Sequence, residues 1–159
     1  MKIATKFLLT TCSLVALTAC GGKKTVSDSA NVDSSGTAMQ TTLQDEFNAK
    51  AGDRVFFSFD KSSLDQVQQD TLRRQARFFK ENPSMTATIE GHADERGTRE
   101  YNLALGERRA NSAKKCLKEL GVDCQRLSTV SYGKERPVVQ GSNEEAWAQN
   151  RVAITVVRD

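Results

Sequence analysis

Most of this chain switches between the two apolar periodicities that mark strands and helices. In residues 54–60 (RVFFSFD), Val55, Phe57 and Phe59 occupy alternate positions, as they do in a strand that buries one face. Residues 63–82 instead place apolar side chains on one side of a helix, which a proline ends. Because each element has one apolar face to bury, the chain must stack strands and helices in layers.

The remaining segments continue this alternation. They are a strand over 85–91, a helix over 98–120 that a glycine ends, a strand over 127–132, a short helical segment over 143–149 and a strand over 151–157. The β-α-β-α-β-β order contains two crossovers, which are nearly always right-handed and place their helices on one face of a sheet. We therefore predict an α/β two-layer sandwich of roughly a hundred residues, with its helices packed on one sheet.

The first 19 residues have the parts of a secretory signal peptide. Lys2 and Lys6 give its start a positive charge. The apolar run over 7–17 is too short to span a bilayer, and small residues follow it. A buried apolar helix is the alternative, but it would not explain the flanking residues. We therefore predict a signal peptide over 1–19.

The residues after this segment predict a lipid anchor and a tether. LTAC at 17–20 resembles the lipobox of bacterial lipoproteins, which implies that Cys20 is acylated, and Gly21 in the next position implies sorting to the outer membrane. An ordinary signal peptide with a chance cysteine is the alternative. Residues 20–50 are predicted to be the lipidated N-terminus and a flexible tether, because they hold few large apolar residues, although 41–50 could form a short helix. The folded domain is predicted over 51–159.

Net charge and cysteine count narrow the classes of function. The formal charge is +3, and removal of the two lysines of the signal segment leaves +1, which gives no electrostatic case for nucleic-acid binding. Cys12 would leave with the signal peptide and Cys20 would carry lipid. Cys116 and Cys124 then remain as a candidate disulfide, with two small buried thiols as the alternative.

Residues 91–110 (GHADERGTREYNLALGERRA) concentrate charged side chains in a strand-to-helix loop and the helix that follows. The helix repeats small and apolar residues at intervals of three and four, which predicts the buried stripe Leu103, Gly106, Ala110, Ala113, Leu117 and Leu120. Arg109 flanks this stripe and would lean back toward Asn102 and the loop, whereas Arg108 points to solvent. Asp94 in the loop and Arg109 could hold the two ends of a zwitterion, or they could form a structural salt bridge with each other.

The same stretch closely resembles the signature of the OmpA-like peptidoglycan-binding domain and, within that family, the peptidoglycan-associated lipoproteins of the Tol–Pal envelope system. FSFDKSSL at 57–64, SYGKERP at 131–137 and NRVAITV at 150–156 match further landmarks in order, so the resemblance covers about residues 54–159. It implies noncovalent binding of peptidoglycan through the diaminopimelate of its stem peptides. It also implies an outer-membrane lipoprotein that faces the periplasm, with TolB and other Tol proteins as partners.

The resemblance assigns candidate site residues and favours binding over a structural salt bridge. The family's acid and base for diaminopimelate fall on Asp94 and Arg109. The other ligand-binding candidates are Phe59, Asp60, Thr98, Asn102 and Leu103, with Tyr101 shaping the pocket. Two departures stand out: Ala93 replaces the usual Thr or Cys, and one arginine of a common Asn-Arg-Arg run is missing, which leaves the role of Arg151 open.

Other functions fit the sequence less well. The chain has one histidine, His92, and no nucleophile motif of the G-x-S-x-G type. We therefore expect neither an enzyme nor a cofactor. One histidine and two closely spaced cysteines do not supply the four ligands of a structural zinc site, so we expect no metal. An OmpA-like lipoprotein that acts mainly as a protein-interaction module in the envelope is the alternative that remains.

Overall fold

The computed structural model of this chain describes residues 42–159. The predicted signal peptide, Cys20 and the predicted tether as far as residue 41 lie outside the described residues. Among the helices that are described, none combines the length and the apolar composition needed to cross a bilayer.

Four strands of the described part form one mixed sheet, in the order β1-β4-β2-β3. They are β1 (Arg54–Phe56), β2 (Thr86–His92), β3 (Leu127–Gly133) and β4 (Val152–Arg158). β2 and β3 are parallel neighbours, whereas β4 lies antiparallel between β1 and β2. The final strand is therefore inserted between the first two, and both helical crossovers join strands that run in the same direction.

The helices pack against this sheet. They are α1 (Leu43–Lys50), α2 (Gln66–Glu81), α3 (Arg99–Glu119) and α4 (Glu144–Asn150), and a short 3₁₀ helix spans Cys124–Arg126. α2 and α3 contact each other as well as the strands. They cover one face of the sheet, since Ala87 and Ile89 of β2 belong to the core while Thr86 is exposed. The predicted two-layer α/β sandwich is confirmed.

The folded unit begins earlier than the predicted boundary at residue 51. Thr42 caps α1 through a reciprocal pair of hydrogen bonds with Asp45. Phe47 of α1 is fully buried and packs edge-on against Phe78 and Phe79, with ring centroids 5.3 Å and 6.3 Å away. The tether was predicted to reach residue 50 because two large apolar residues in ten were too weak a signal, but Phe47 completes the core and Leu43 packs against it.

The first strand is shorter than predicted. β1 ends at Phe56 rather than at residue 60, although the Phe57 N–H still donates to the Arg151 carbonyl at 2.8 Å. Beyond this point the chain leaves the sheet and Asp60 takes a left-handed conformation, with φ of 57°. Phe59, predicted on the buried face of a strand, is therefore 56% exposed.

Two glycines let α3 cross β2 at close range. A Cβ atom on Gly106 would lie 2.8 Å from the Gly91 carbonyl oxygen and would also collide with the Ser131 hydroxyl, and a Cβ atom on Gly91 would meet the Gly106 carbonyl. Any side chain at either position would push the helix off the sheet. The crossing fixes the height of α3 above the strand end from which the β2–α3 loop departs.

Arg126 ties the far end of the domain together. Its guanidinium donates to the carbonyls of Met85, Phe79 and Asn82 at 2.7, 3.1 and 2.5 Å, and it stacks over the Phe79 ring. Cys116 of α3 and Cys124 are free thiols, so the candidate disulfide does not form in the structure. Cys116 packs partly against the core, whereas Cys124 is exposed at the start of the 3₁₀ helix.

Candidate functional site

A cavity of about 210 Å³ opens between the β1–α2 loop, the β2–α3 loop and the first turns of α3. It is lined by Phe59, Asp60, Asp94, Arg96, Gly97, Tyr101, Asn102, Leu105 and Arg109. Acidic, basic and aromatic side chains therefore meet in a pocket that is open to solvent on one side.

The β2–α3 loop is held in place by its own backbone and by the start of α3. Gly97 has φ of 95°, a conformation that favours glycine, and lets the chain turn into the helix. Thr98 caps α3 by accepting from the Tyr101 N–H at 3.2 Å. The Asn102 amide donates to the carbonyls of Arg96 and Thr98 at 2.9 Å and 3.1 Å. The loop that carries Asp94 is therefore rigidly attached to the helix that carries Arg109.

Arg109 is completely buried, yet it forms one wall of the cavity. Its guanidinium donates to three backbone carbonyls: Nε to Lys61 at 2.9 Å, Nη1 to His92 at 2.8 Å and Nη2 to Ser58 at 3.3 Å. Burial lowers the pKa of Arg109 to about 10, although Asp94 opposes this shift, so the side chain stays cationic at neutral pH. Three of its five N–H donors are used, which leaves two for a ligand.

Asp94 is 4% exposed and its carboxylate is bound by Arg96. Arg96 Nη2 donates to Oδ2 at 2.6 Å, while its Nε and its backbone N–H donate to Oδ1 at 3.3 Å and 3.2 Å. Burial would raise the pKa of Asp94, but the hydrogen bonds from Arg96 outweigh it and hold the pKa below its usual value. Asp94 is therefore ionised at neutral pH.

Arg96 lies at the rim between two aromatic rings. Its Cζ is 4.1 Å from the centroid of Phe59 and 4.2 Å from that of Trp147, an arrangement we call the aromatic clamp. Its Nη1 also lies 3.8 Å from Glu144 Oε2. Glu95 holds the clamp to the loop, because its carboxylate accepts from the Trp147 indole N–H at 3.0 Å.

Arg151, whose role the sequence left open, borders Asp94 from the opposite side. Its Nε donates to the Phe57 carbonyl at 3.1 Å and its Nη2 pairs with Glu144 at 2.8 Å. Its Nη1 is buried without a hydrogen-bond partner and lies 3.6 Å from Asp94 Oδ2. Two guanidiniums thus flank the single carboxylate of Asp94.

Five of the seven predicted site residues line the cavity. They are Phe59, Asp60, Asp94, Asn102 and Arg109, and Tyr101 joins them by donating its hydroxyl to the Asp60 carboxylate. Thr98 supports the loop as a helix cap without lining the cavity. Asp94 and Arg109 do not pair with each other: Asp94 pairs with Arg96 and Arg151, whereas Arg109 donates to three backbone carbonyls. The structural salt bridge that spacing left open is therefore absent between these two described residues.

Leu103 is not part of the cavity. It is 44% exposed and faces a separate groove beside β3, and the predicted buried stripe of α3 is wrong at this position. Leu105 takes its place in the pocket wall, together with Asn102 and Arg109 on the same face of the helix. The spacing i, i+3, i+7 of these three residues was a signal that could have identified Leu105, but a buried asparagine and arginine hid the true inward face.

Comparison with known proteins identifies relatives of this chain. A profile of the OmpA family matches residues 56–151. The peptidoglycan-associated lipoprotein of Agrobacterium fabrum is 46% identical over 145 residues, which cover 90% of this chain and 82% of that protein. The protein of the same name from Pasteurella multocida is 41% identical and covers 97% of this chain and 98% of its own length.

The chain belongs to the peptidoglycan-associated lipoproteins of the OmpA family. The crystal structure of the peptidoglycan-associated lipoprotein from Burkholderia pseudomallei shares the fold with a TM-score of 0.65 and 43% identity, covering 67% of this chain and 90% of that one. The C-terminal domain of Helicobacter pylori MotB shares the fold alone, with a TM-score of 0.63 and 21% identity over 67% of this chain and 84% of that one.

Within this family framework, the sequence missed the residues that surround Asp94. Arg96 stands in the quoted loop but received no role there, and Trp147 contributes from α4, which nothing in the sequence pattern brings to the loop. Across residues 42–159, no group of three or more His, Cys, Asp or Glu side chains is arranged to hold a metal ion. The chemistry available in the pocket is that of charge pairs and aromatic faces.

Proposed function

We propose that this protein binds peptidoglycan noncovalently and that its cavity receives the zwitterionic end of a diaminopimelate side chain. The observation that carries the proposal is an ionised, buried carboxylate and a buried guanidinium that line one open cavity without a hydrogen bond or salt bridge to each other. The family membership supports it, because relatives that this chain matches over most of their length are named for their association with peptidoglycan. The mechanism is binding rather than chemistry.

Arg109 and Asp94 suit the two charged ends of the zwitterion. Arg109 has two unused N–H donors, which suit the carboxylate of the zwitterion in a bidentate arrangement. Asp94 supplies the negative charge for the ammonium group. Phe59 and Leu105 line the cavity with apolar surface that can cover the methylene chain between the two. A neutral side chain of the same length would offer no anion to the two unused N–H donors of Arg109 and no cation to Asp94, which gives selectivity.

The predicted lipid anchor would give the protein two attachments in the envelope. Acyl chains on Cys20 would hold it at the outer membrane, and the domain would hold the cell wall. Each attachment raises the effective concentration for the other, so moderate affinity at each point would still keep membrane and wall together. TolB and other Tol proteins are the partners that the family resemblance implies.

Sedimentation with purified sacculi tests the binding proposal. We expect the full chain to sediment, whereas Asp94→Asn and Arg109→Lys should remain in the supernatant. Arg99→Gln is the matched control, because Arg99 carries the same charge at the start of α3 but lies outside the cavity and pairs with Glu135. Unchanged sedimentation of both site variants would reject the pocket and favour a protein-interaction module.

The choice of lysine rather than alanine at position 109 follows from the structure. Alanine would leave the carbonyls of Ser58, Lys61 and His92 without the donors that Arg109 supplies. Unsatisfied buried carbonyls cost about 1–3 kcal/mol each, so an alanine variant would lose stability together with any binding. Asp94→Asn preserves the shape of the side chain and most of its hydrogen bonds, and thermal unfolding of each variant separates folding from binding.

A further inference from the structure

Asp94, the residue assigned to the ligand's ammonium group, is already occupied by a cation of the protein itself. Of about four lone-pair positions on a carboxylate, three accept from Arg96, two of them from its side chain. Arg151 Nη1 stands 3.6 Å from the same carboxylate. At Asp94 an incoming ammonium would therefore meet a carboxylate that two guanidiniums already neutralise, so Asp94 attracts it little while Arg96 stays in place.

We infer that the guanidinium of Arg96 stands in for the ligand's ammonium group and must be displaced from Asp94 when the ligand binds. This inference rests on the proposed function and adds a residue that sets affinity. The apparent affinity would then be the intrinsic affinity multiplied by the fraction of molecules in which Arg96 leaves Asp94 uncovered. The buried Arg151 remains as a fixed partner that keeps Asp94 ionised after Arg96 leaves.

The surroundings of Arg96 permit such a movement. Its side chain is 32% exposed and lies at the rim, unlike the buried Arg109 and Arg151. Glu144, which is 65% exposed, lies 3.8 Å from Arg96 Nη1 on the solvent side and offers a second carboxylate. Rotation away from Asp94 would therefore exchange one ion pair for another instead of leaving the guanidinium without a partner.

The aromatic clamp supplies a direct signal for this displacement. Trp147 is the one tryptophan of the sequence, and the Arg96 guanidinium stacks on it at 4.2 Å. Trp147 does not line the cavity, so a ligand there would not touch it. A change in tryptophan fluorescence on binding would report the movement of Arg96 rather than contact with the ligand.

The test titrates the detergent-solubilised full chain with the tripeptide L-alanyl-γ-D-glutamyl-meso-diaminopimelate, by calorimetry and by tryptophan fluorescence. We expect Arg96→Gln to bind about 3–10-fold more tightly than wild type, which corresponds to a covered state populated at roughly 70–90%. We also expect this variant to lose the fluorescence change that accompanies binding to wild type. Arg99→Gln, with the same loss of charge nearby, should match wild type in both measurements.

A second variant keeps the inference testable if Arg96→Gln does not fold. Glu144→Gln removes the carboxylate that would receive Arg96 and should weaken binding by about 2–5-fold, opposite in sign to Arg96→Gln. Weaker binding by Arg96→Gln, or a wild-type complex with unchanged fluorescence, would overturn the inference while leaving the pocket intact. Absence of tripeptide binding in every variant would overturn the proposed function and this inference together.

Discussion

Two arginines at opposite ends of the domain make nearly the same contacts and serve different purposes. Arg109 and Arg126 each donate to three backbone carbonyls, and each guanidinium lies about 5 Å from a phenylalanine ring, at 5.3 Å and 5.2 Å. Arg126 joins the start of β3 to the end of α2. Arg109 joins α3 to the loop after β1 and to the end of β2.

The difference lies in what surrounds the two guanidiniums. Arg109 lines an open cavity together with an ionised carboxylate, whereas Arg126 lines none of five well-formed cavities in residues 42–159. Carbonyl contacts thus fix a guanidinium in space, and a vacant volume with a complementary charge turns the fixed group into a binding site. Burial and hydrogen bonding alone would not distinguish the two.

The strongest test of this comparison replaces each arginine by lysine. Arg109→Lys should weaken tripeptide binding roughly 100-fold, because loss of a bidentate charge-assisted contact costs about 2–3 kcal/mol. Arg126→Lys should leave affinity unchanged and lower the free energy of unfolding by about 1–2 kcal/mol. Calorimetry measures the first effect and urea unfolding the second.

The two variants should therefore separate affinity from stability. Arg109→Lys will also lose some stability, since lysine cannot reach all three carbonyls, so its affinity is measured at a temperature where the unfolding curve shows a folded protein. A 100-fold loss of affinity in Arg126→Lys would contradict the distinction between the two arginines, because Arg126 would then affect ligand binding as strongly as Arg109.

The close crossing of Gly106 in α3 over Gly91 in β2 allows a further test of how Arg109 is positioned. Alanine is about 1 kcal/mol better than glycine within a helix, but a Cβ atom on Gly106 would lie 2.8 Å from the Gly91 carbonyl oxygen. We expect Gly106→Ala to lower the unfolding free energy by about 1–3 kcal/mol and to weaken tripeptide binding, because lifting α3 moves Arg109 relative to Asp94. Ala104→Ser, an exposed change on the same helix, is the control. A higher unfolding free energy for Gly106→Ala would show that α3 and β2 can accommodate a Cβ atom at their crossing.

Periodicity was sufficient to predict the fold but not the environment of the site. The strands and long helices were predicted to within a few residues, because each buries one apolar face and the patterns have distinct periods. Asp94 and Arg109 were predicted as a possible pair because their loop and helix adjoin in sequence, the family resemblance favoured a binding role, and both residues line the cavity. The wrong choice of Leu103 over Leu105 has a clear cause: Asn102 and Arg109 are buried on the inward face, where a search for apolar residues does not expect them.

Contacts between distant segments explain the remaining failures. Phe47 joins the core from a helix whose other residues are mostly polar, so composition assigned it to the tether. Trp147 reaches Arg96 only because α4 folds over the β2–α3 loop, where Glu95 accepts from its indole. Neither contact follows from a local pattern, since each depends on how the crossover connections place elements that are far apart in sequence.

The response to pH should also distinguish the two ends, because the chain's one histidine adjoins Arg109. Burial lowers the pKa of His92 from 6.5, although the hydrogen bond from Nδ1 to the Arg136 carbonyl opposes the shift. Below pH 6.5 the unfolded chain therefore binds more protons than the folded one, and stability falls as pH falls. We expect a loss of up to about 1 kcal/mol between pH 7 and pH 5.

Urea unfolding at both pH values measures this loss in wild type and in His92→Asn. Asparagine can retain the donor to Arg136 but does not titrate, so the variant should show a smaller difference between the two pH values. Arg126→Lys should keep the full wild-type difference, because no histidine lies at its end of the domain. An equal pH dependence in His92→Asn would assign the effect to carboxylates instead.

The smallest expected effect concerns the rates at which the two described thiols, Cys116 and Cys124, are labelled. Burial raises the pKa of Cys116, and Glu119 adds to the shift, so less of this thiol is the reactive thiolate at pH 8. Exposed Cys124 should therefore react with a thiol reagent about 10-fold faster, as measured by mass spectrometry of the labelled peptides. Arg126→Lys should raise the labelling rate of Cys116 about twofold through local opening, while Arg109→Lys should leave it unchanged. Faster labelling of Cys116 in Arg109→Lys would show that loosening the site end also opens the other, because local stability would then be shared across α3 rather than confined to each arginine.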